Sequence, residues 1–592
     1  MTHTRRALAS LGLSVLLPAA GCSRGADMPS QVDAKQEWQT RVPDASGRVA
    51  SSVRPAWEAF VAARGGVAPS VRWGAHGTPS TVMGMLSDSG AVVSAADVEA
   101  WMGRQAAIFG WRTDVSDLVL RSRVESPMGL HFTFDQRLGG VPVHGAEVKV
   151  HIDLRGAVVA VNNGYVPGLD LSPRTPAFPS ARAAEVASLS LPERDRTPVE
   201  GHRPAVDLVV DTTHGAAKLA WRVEVVTERR TWEAFVDAAT GSLLGEPVDL
   251  NRYGGAEDGV DGKGADAVTK KGGGGGGTGG GTGGGSVSGT GKVFKVNAVV
   301  ATQNNALVDA NDAASAVPST AYGIVTLLGL DGTGKLDGKY ASSSGSKRRV
   351  SVSSNNFLFE RNTSGFNETM GYRYIDFTQR YIQSLGFTTA NNRRQVFSVD
   401  RLTDDNSYYS PSTKAITFGT GGVDDAEDAE VIVHEYGHSI QDNQVANYGM
   451  TAEGGAMGEG FGDYLAGSVM AQLSGGFQDA CVADWDAVSY TAGTPHCLRR
   501  LDSTKHFPEA WVNEVHDDGE MWSATLWQIR GALGASAADK VVLQSHFLLS
   551  PSANFSDGAN ALVTAAIGLG LSPTDVETVR SLLKARGFTV TA

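Results

Sequence analysis

The chain has 592 residues, a formal net charge of −13 and three cysteines. This length exceeds what a single hydrophobic core usually covers, so we expect several domains. The negative charge argues against nucleic acid as a partner. After the N-terminus, no apolar run is long enough to predict a membrane span.

The N-terminus has the pattern of an export signal, which we assign to residues 1–21. Arg5 and Arg6 form a basic region, and residues 7–17 form an apolar one. The Ala-Ala-Gly-Cys sequence ending at Cys22 resembles a lipobox, whose cysteine is lipidated after cleavage. An ordinary signal peptide with an incidental cysteine is the alternative. Either way we expect an exported protein, which is extracellular or a lipoprotein at the outer surface or in the periplasm. If it is attached to a membrane, we expect the attachment to be a lipid anchor alone.

Two small α+β modules are predicted within residues 23–250, at 85–165 and 180–250. In the first, residues 148–152 alternate between apolar and polar, which is typical of a strand with one buried face. The second combines a helical pattern at 182–192 with strand patterns at 219–226 and 232–237.

A glycine-rich tract at residues 251–288 follows these modules. Its composition cannot pack a core, so we expect a flexible linker. Flexible polar segments are preferred sites of proteolysis. The tract is therefore either a processing site or a simple tether.

Residues 289–592 are predicted to form one globular domain, strand-rich in its first half and helical in its second. Acidic residues precede an apolar segment at 431–433, which predicts a buried helix between the two halves. The strands are predicted at 293–297, 350–353, 395–399 and 415–418, and the other helices at 367–385, 521–532, 538–549, 559–567 and 573–585.

The buried helix carries a His-Glu-x-x-His motif. Residues i and i+4 lie on one face of a helix, so His434 and His438 can bind one metal ion, which Glu435 can also approach. Zinc in hydrolases takes three protein ligands and leaves one position for water. Glu459, 21 residues after His438, is the candidate third ligand, on a second antiparallel helix from about 453 to 470.

Asp463 lies one turn after Glu459 and shares its face of that helix. It could accept a hydrogen bond from the outer nitrogen of a zinc-bound histidine. A solvated acidic face is the alternative for both residues. The same helix contains five glycines, at 454, 455, 458, 460 and 462, which predict close approach of another backbone.

With Cys22 set aside, Cys481 and Cys497 remain as an even pair. In an oxidising compartment such a pair is expected to form a disulfide, here closing a loop of about 16 residues. Two free thiols are the alternative.

The motif that starts at His434 and the Gly-Glu-Gly-x-x-Asp motif around Glu459 together resemble the fungalysin and thermolysin group of metalloendopeptidases. The likeness extends from about residue 85 to the C-terminus. It implies an α+β fold: a two-lobed thermolysin-like domain, with a strand-rich N-terminal lobe, a helical C-terminal lobe and the zinc helix between them, preceded by an α+β propeptide. Such a propeptide assists folding and blocks the active cleft, and a stand-alone binding domain is the alternative for that region.

The resemblance also implies catalytic roles. Glu435 would take a proton from a zinc-activated water and pass it to the leaving amine. His516 lies in a segment similar to the one bearing the second active-site histidine of the group, and would stabilise the oxyanion. A core or surface histidine is the alternative for His516. Tyr448, ten residues past His438, is a second candidate for the oxyanion.

Two substrate contacts follow from the same resemblance. Asn406 begins a segment similar to the edge strand that binds the substrate backbone. Arg499 lies in a segment similar to the one whose arginine grips the substrate carbonyl, and its neighbour Arg500 is the alternative.

The sequence therefore predicts a secreted or lipid-anchored zinc endopeptidase, made as a zymogen. It would be a monomer with one catalytic Zn²⁺, protein or peptide substrates, and its own propeptide as intramolecular inhibitor. Asp424, Asp425 and Asp428 either bind Ca²⁺ or solvate a helix start. The alternatives are a catalytically retired zinc-binding or adhesion protein and a zinc hydrolase of a non-peptide amide. A retired enzyme could keep its zinc ligands and lose its base, whereas this chain retains Glu435.

Overall fold

The computed structural model describes residues 49–250, apart from 67, 93, 172–174, 198–202 and 228–230, and residues 287–591. All of them belong to one compact unit. The predicted signal peptide, Cys22 and all but the last two residues of the predicted linker lie outside the described residues. Among the helices that are described, none has the length and apolar character needed to cross a membrane.

The first part of the chain forms a ten-stranded, mainly antiparallel sheet with helices packed against it. Its strands pair in the order β1-β2-β6-β5-β7-β8-β9-β10, with β3 joined through β4 to β5. The helices are α1 (Arg54–Ala62), α2 (Ala95–Phe109) and α3 (Ser180–Ser190), and the strands are β1 (Ser70–Trp73), β2 (Pro79–Met83), β3 (Leu118–Ser126), β4 (Gly129–Leu138), β5 (Val141–Asp153), β6 (Val158–Asn163), β7 (Ala205–Asp211), β8 (Lys218–Val226), β9 (Thr231–Asp237) and β10 (Leu243–Asp249).

Strand β5 differs from its prediction, because both of its faces are buried at its C-terminal end. Val150 is 0% exposed, as the alternation predicts, but His151 is also 0% exposed. On this second face, Nε2 of His151 lies 2.8 Å from Oδ1 of Asn162 in β6, and the Asn162 side chain donates to the carbonyl of Leu548 in the C-terminal lobe at 3.0 Å. The alternation of apolar and polar residues predicts one buried face of a strand, but it does not reveal whether another part of the chain covers the opposite face. The burial of the second face of β5 could therefore not be predicted from the sequence.

The strand-rich lobe begins at β11 and contains two small sheets, ordered β12-β11-β14 and β13-β15-β17-β16. Its helices are α4 (Ala298–Thr302) and α5 (Ser364–Ser384), and its strands are β11 (Val287–Phe294), β12 (Tyr322–Leu330), β13 (Ala341–Ser342), β14 (Asn356–Phe357), β15 (Gln395–Ser398), β16 (Tyr408–Ser410) and β17 (Ala415–Thr417).

Two strand predictions in this lobe need correction. Residues 350–353 form no strand, because Val350 donates its N–H to the Glu368 carboxylate and Val352 donates to the carbonyl of Gly334. The strand predicted at 293–297 ends earlier, at Phe294, because the Asn297 side chain instead caps the start of α4.

The helical lobe contains six helices among the described residues and one short hairpin. They are α6 (Ala429–Gln444), α7 (Ala452–Ser474), the paired strands β18 (Cys481–Val482) and β19 (Arg499–Arg500), then α8 (Val515–Leu533), α9 (Ala535–Phe547), α10 (Phe555–Gly568) and α11 (Pro573–Ala585). The fold thus confirms the predicted α+β class, with a strand-rich N-terminal region and a helical C-terminal region.

Helix α8 begins six residues earlier than predicted, at Val515. The Glu514 carboxylate caps it by accepting the N–H groups of His516 (3.1 Å) and Asp517 (2.7 Å). The acids of this segment therefore form a helix N-terminus, where negative charge is favourable. His516 is placed in the first turn as a result.

The glycines of α7 allow the close helix packing that their number predicts. A Cβ atom on Gly460 would lie 2.4 Å from the carbonyl oxygen of Gly519 in α8. A Cβ atom on Gly462 would lie 2.7 Å from Nδ1 of His434 in α6. Any larger residue at these two positions would push α7 away from both neighbours, so the glycines set the spacing of the candidate site.

Candidate metal centre

Helix α6 carries two of the predicted ligands into the core. The Asp428 carboxylate caps its first turn by accepting the Glu430 N–H at 2.9 Å, and Ile432 and Val433 are fully buried. One helical turn separates His434 from His438, so their rings meet edge to face with centroids 4.7 Å apart. Their Nε2 atoms approach to 3.0 Å.

Glu459 of α7 completes the group. Its Oε2 lies 3.2 Å from Nε2 of His434, and its Oε1 lies 3.6 Å from Nε2 of His438. One ligand atom from each residue lies within 4.8 Å of the others, and all three residues are at most 6% exposed. The structure therefore brings the three predicted ligands together around one point.

The donor set can be tested against zinc. Two imidazole nitrogens and one carboxylate form one of the sets found in catalytic zinc sites. Within the described part of the chain, Oε1 of Glu459 has no hydrogen-bond partner although it is buried. Two nitrogens that face each other across 3.0 Å and a buried carboxylate oxygen without a donor are what a shared cation would satisfy. The residues fit the ion.

The two histidines differ strongly in their affinity for a proton. Burial lowers the pKa of His434, but hydrogen bonds to Asp463 and Glu459 outweigh burial and raise the pKa to about 10. Burial lowers the pKa of His438 to about 3. A positive charge is therefore favoured beside Glu459, and an ion there would replace a proton on His434.

Asp463 contacts His434 as its spacing predicts. Its Oδ1 lies 2.9 Å from Nδ1 of His434, which leaves Nε2 of that ring directed at the other two ligand residues. The carboxylate is fully buried, and it also accepts two hydrogen bonds from Arg499, at 2.7 Å to Nε and 2.8 Å to Nη2. An arginine–aspartate–histidine chain thus leads to the metal centre.

Arg499 lies at the site, but its principal partner was not predicted. Its segment was expected to contact substrate, whereas two of its donors bind Asp463. The short β18–β19 hairpin holds it, with Val482 opposite Arg499 and Cys481 opposite Arg500. The predicted disulfide joins Cys481 to Cys497 next to this hairpin, with Cα atoms 5.2 Å apart.

Glu435 and His516 both line the cavity that His434 and Glu459 also line. Glu435 is 4% exposed, and its Oε2 has no hydrogen-bond partner among the described residues. Burial raises the pKa of Glu435 to about 7. His516 lies with Nε2 3.3 Å from Oε2 of Glu459 and Nδ1 2.8 Å from Glu514. Burial opposes its protonation, but Glu459 and Glu514 together raise the pKa of His516 above its ordinary value.

The cavity has a volume of about 80 Å³, which is room for several water molecules or the end of a side chain. Asn406 lines it, as expected of a residue that contacts substrate. Tyr448 is not among its lining residues; it is 2% exposed, and the charges that act on it are those of Asp557 and Glu453.

Several lining residues had not been considered from the sequence, among them the polar pair Asp486 and Tyr490. Both lie inside the loop that the Cys481–Cys497 disulfide closes. That loop immediately precedes Arg499, and this proximity was the one signal that could have identified them.

Comparisons with known proteins match two parts of the chain. The model of the fungalysin metallopeptidase family (M36) matches residues 347–566, and that of the fungalysin/thermolysin propeptide motif matches residues 116–165. These matches confirm the predicted resemblance. Among solved structures, the chain is similar to the Bacillus megaterium YpeB C-terminal domain, at 14% identity over 29% of this chain and 71% of that one, with a TM-score of 0.16. A TM-score that low supports no conclusion. No curated protein matches the chain.

Proposed function

We propose that this protein is an exported zinc endopeptidase that is made as a zymogen. The chain carries a fungalysin metallopeptidase domain, whose family consists of zinc metalloendopeptidases, and a fungalysin/thermolysin propeptide motif precedes that domain. In this proposal His434, His438 and Glu459 hold the zinc ion and Glu435 is the general base. One observation carries it: three ligand atoms lie within 4.8 Å of one another, and the same cavity is lined by a buried Glu435 with an unpartnered oxygen.

Zinc bound by these residues would supply a Lewis acid that acidifies water and polarises the scissile carbonyl. Glu435 then takes the proton of the attacking water and delivers it to the leaving amine. Glu435 is buried beside the ligands, and its Oε2 has no hydrogen-bond partner among the described residues, so this oxygen can accept the proton of the water. The position of Glu435 on the same helix as two ligands keeps that carboxylate beside the reacting bond.

His516 is proposed to stabilise the oxyanion. The ring lines the cavity together with Glu435, and its Nδ1 is held by Glu514 at 2.8 Å. Nε2, which lies 3.3 Å from Oε2 of Glu459, would donate to the substrate oxygen once zinc engages that carboxylate. Asn406, which lines the same cavity, is proposed to bind substrate backbone.

Asp463 and Arg499 are proposed as positioning residues. By accepting the Nδ1–H of His434, Asp463 selects the tautomer whose Nε2 can bind metal. Arg499 fixes the Asp463 carboxylate through two parallel hydrogen bonds. The guanidinium lines the cavity as well, so a substrate carbonyl can use the donors that Asp463 leaves unused.

Residues 23–250 are proposed to be the propeptide, which blocks the active cleft, residues 251–288 the linker, and residues 289–592 the catalytic domain. The N-terminal sheet contacts both lobes of the peptidase, which supports an inhibitory role. Arg72 pairs with Asp557 at 3.0 Å, and the Thr231 hydroxyl accepts a hydrogen bond from Ser412 at 3.0 Å. None of the described residues before 250 lines the metal cavity, so inhibition would act by restricting access to it.

The remaining features of the proposal concern the environment of the enzyme. The Cys481–Cys497 disulfide is consistent with export, and lipidation at Cys22 and a monomeric state are parts of the proposal. Of the acids considered for calcium, Asp424 accepts from the Asn367 side chain at 2.6 Å, and Asp428 caps α6, so calcium is assigned to neither.

Casein hydrolysis by the zinc-loaded protein, after cleavage within residues 251–288, tests the proposal. We expect hydrolysis that a zinc chelator abolishes and that added zinc restores, because the ligands and base remain in the chain. A processed, zinc-loaded protein that cleaves neither casein nor a peptide library would instead support the catalytically retired alternative.

A further inference from the structure

Beyond the metal centre, the cavity meets a group of three carboxylates, Asp405, Asp425 and Asp486, called here the acidic floor. These residues come from the loop before β16, the short helical turn before α6, and the turn after β18. One oxygen from each lies within 4.8 Å of the others, and Asp425 and Asp486 line the cavity. The catalytic roles proposed above use none of the three.

The acidic floor lacks counter-charges of its own. Oδ1 of Asp425, which is 2% exposed, and Oδ1 of Asp486, which is 4% exposed, have no hydrogen-bond partner in the described part of the chain, and neither has Oδ1 of Asp405. The other oxygen of Asp425 accepts the Ser407 hydroxyl. Burial raises the pKa of Asp425 and of Asp486 well above the ordinary value.

The chain's own nearby cation does not satisfy this floor. Arg499 lines the cavity and acts on Asp486, but only weakly compared with burial, and two of its donors bind Asp463. Two buried carboxylates directed at a cavity without a partner favour the entry of a cation from outside.

The walls of the cavity indicate which kind of cation. Val431, Val482 and Leu498 line the cavity and give it apolar walls beside the acidic floor. Lysine and arginine have long aliphatic stems that pack on such surfaces and a charged end that needs an acid. A calcium ion would instead need six to eight oxygen ligands, which apolar walls do not supply.

The cavity is continuous with the reacting centre, since Glu435 and His434 line it together with Asp425 and Asp486. A side chain bound there must therefore belong to a residue next to the bond being cut. Resting on the proposed endopeptidase function, we propose that this cavity is a specificity subsite that binds the lysine or arginine side chain of a substrate residue flanking the scissile bond.

Matched peptides test this subsite in the processed, zinc-loaded enzyme. One series carries lysine and another norleucine, its uncharged counterpart of similar length, at each of the two positions that flank the cleaved bond. We expect kcat/KM at least tenfold higher for lysine at one of these positions, because only the ammonium group pairs with the acidic floor. Equal values at both positions overturn the proposal.

Two variants then test whether the acidic floor causes the preference for lysine over norleucine. Asp486→Asn is expected to lower the lysine-to-norleucine ratio of kcat/KM at least tenfold. Asp404→Asn removes the same charge from an exposed neighbour of Asp405 that does not line the cavity, and should leave the ratio within twofold. An unchanged ratio in the Asp486 variant overturns the proposal. If that variant does not fold, butylamine and butanol as inhibitors of the unaltered enzyme decide: stronger inhibition by the amine supports the subsite, and equal inhibition overturns it.

The experiments distinguish the subsite from a calcium site, and they distinguish a failure of the subsite from a failure of the proposed endopeptidase function. A calcium site would show no lysine preference, together with a melting temperature that calcium raises in the unaltered enzyme and not in Asp486→Asn, and this result overturns the subsite. If no peptide of either series is cleaved, the proposed endopeptidase function itself fails. If norleucine and lysine peptides are cleaved equally, only the subsite fails.

Discussion

Replacing Asp463 by asparagine separates two consequences of the arginine–aspartate–histidine chain. The Asp463 carboxylate is fully buried, and the Arg499 side chain is 14% exposed, so the change leaves a largely buried guanidinium without its charged partner. Breaking such a pair costs about 3–5 kcal/mol. The change also removes the acceptor for Nδ1 of His434, and losses of this kind typically weaken metal binding by about 10- to 100-fold.

The two effects are measured separately. Urea unfolding of the zinc-free protein reports the free energy of unfolding without the contribution of bound metal, and competition with a chelating dye gives the zinc Kd. The double variant Asp463→Asn with Arg499→Met should recover much of the stability, because no unpaired charge remains, while its zinc Kd stays raised. An Asp463→Asn protein that binds zinc within twofold of the unaltered protein, and unfolds at the same urea concentration, would refute the reasoning.

Three further outcomes are expected. Glu459→Ala should lose zinc on dialysis together with activity, since two histidines alone hold the ion weakly, whereas stoichiometric zinc in that variant would mean another third ligand. Burial lowers the pKa of His151 to about 3, so its contribution to stability is complete above the ordinary pKa of about 6.5 and falls as pH drops toward 3. The urea midpoint of His151→Gln should therefore fall less between pH 6.5 and pH 4 than that of the unaltered protein. The same change at exposed His76 should leave the fall as it is. The uncut full-length chain should be nearly inactive on casein and gain activity with a new N-terminus between residues 251 and 288; equal activity of the uncut chain would contradict the zymogen proposal.

The proposed metal ligands could be predicted from the sequence because their geometry is local. The i, i+4 spacing of His434 and His438 places them on one helix face whatever the rest of the fold does. The spacing of Glu459 and Asp463 follows the same rule on α7. Glycines in α7 then indicated close packing against its neighbours, as the contacts of Gly462 with α6 and of Gly460 with α8 show.

The features that escaped prediction depend on long-range contacts. The pairing of Arg499 with Asp463 requires the register of the β18–β19 hairpin, which two-residue strands do not reveal in a sequence. The acidic floor brings together residues from three separate segments of the chain, the first at Asp405 and the last at Asp486. The second buried face of β5 likewise depends on packing against a lobe hundreds of residues later in the chain.

The central claim is that a glutamate beside a three-residue zinc site performs proton transfer in peptide hydrolysis. The most direct measurement is the zinc content and casein activity of Glu435→Gln after processing. We predict stoichiometric zinc, because the three ligands remain, and activity at least 100-fold lower, since a positioned base typically contributes 10²- to 10⁴-fold. Activity within about tenfold of the unaltered enzyme, with zinc bound, would contradict the assignment of Glu435 as the base.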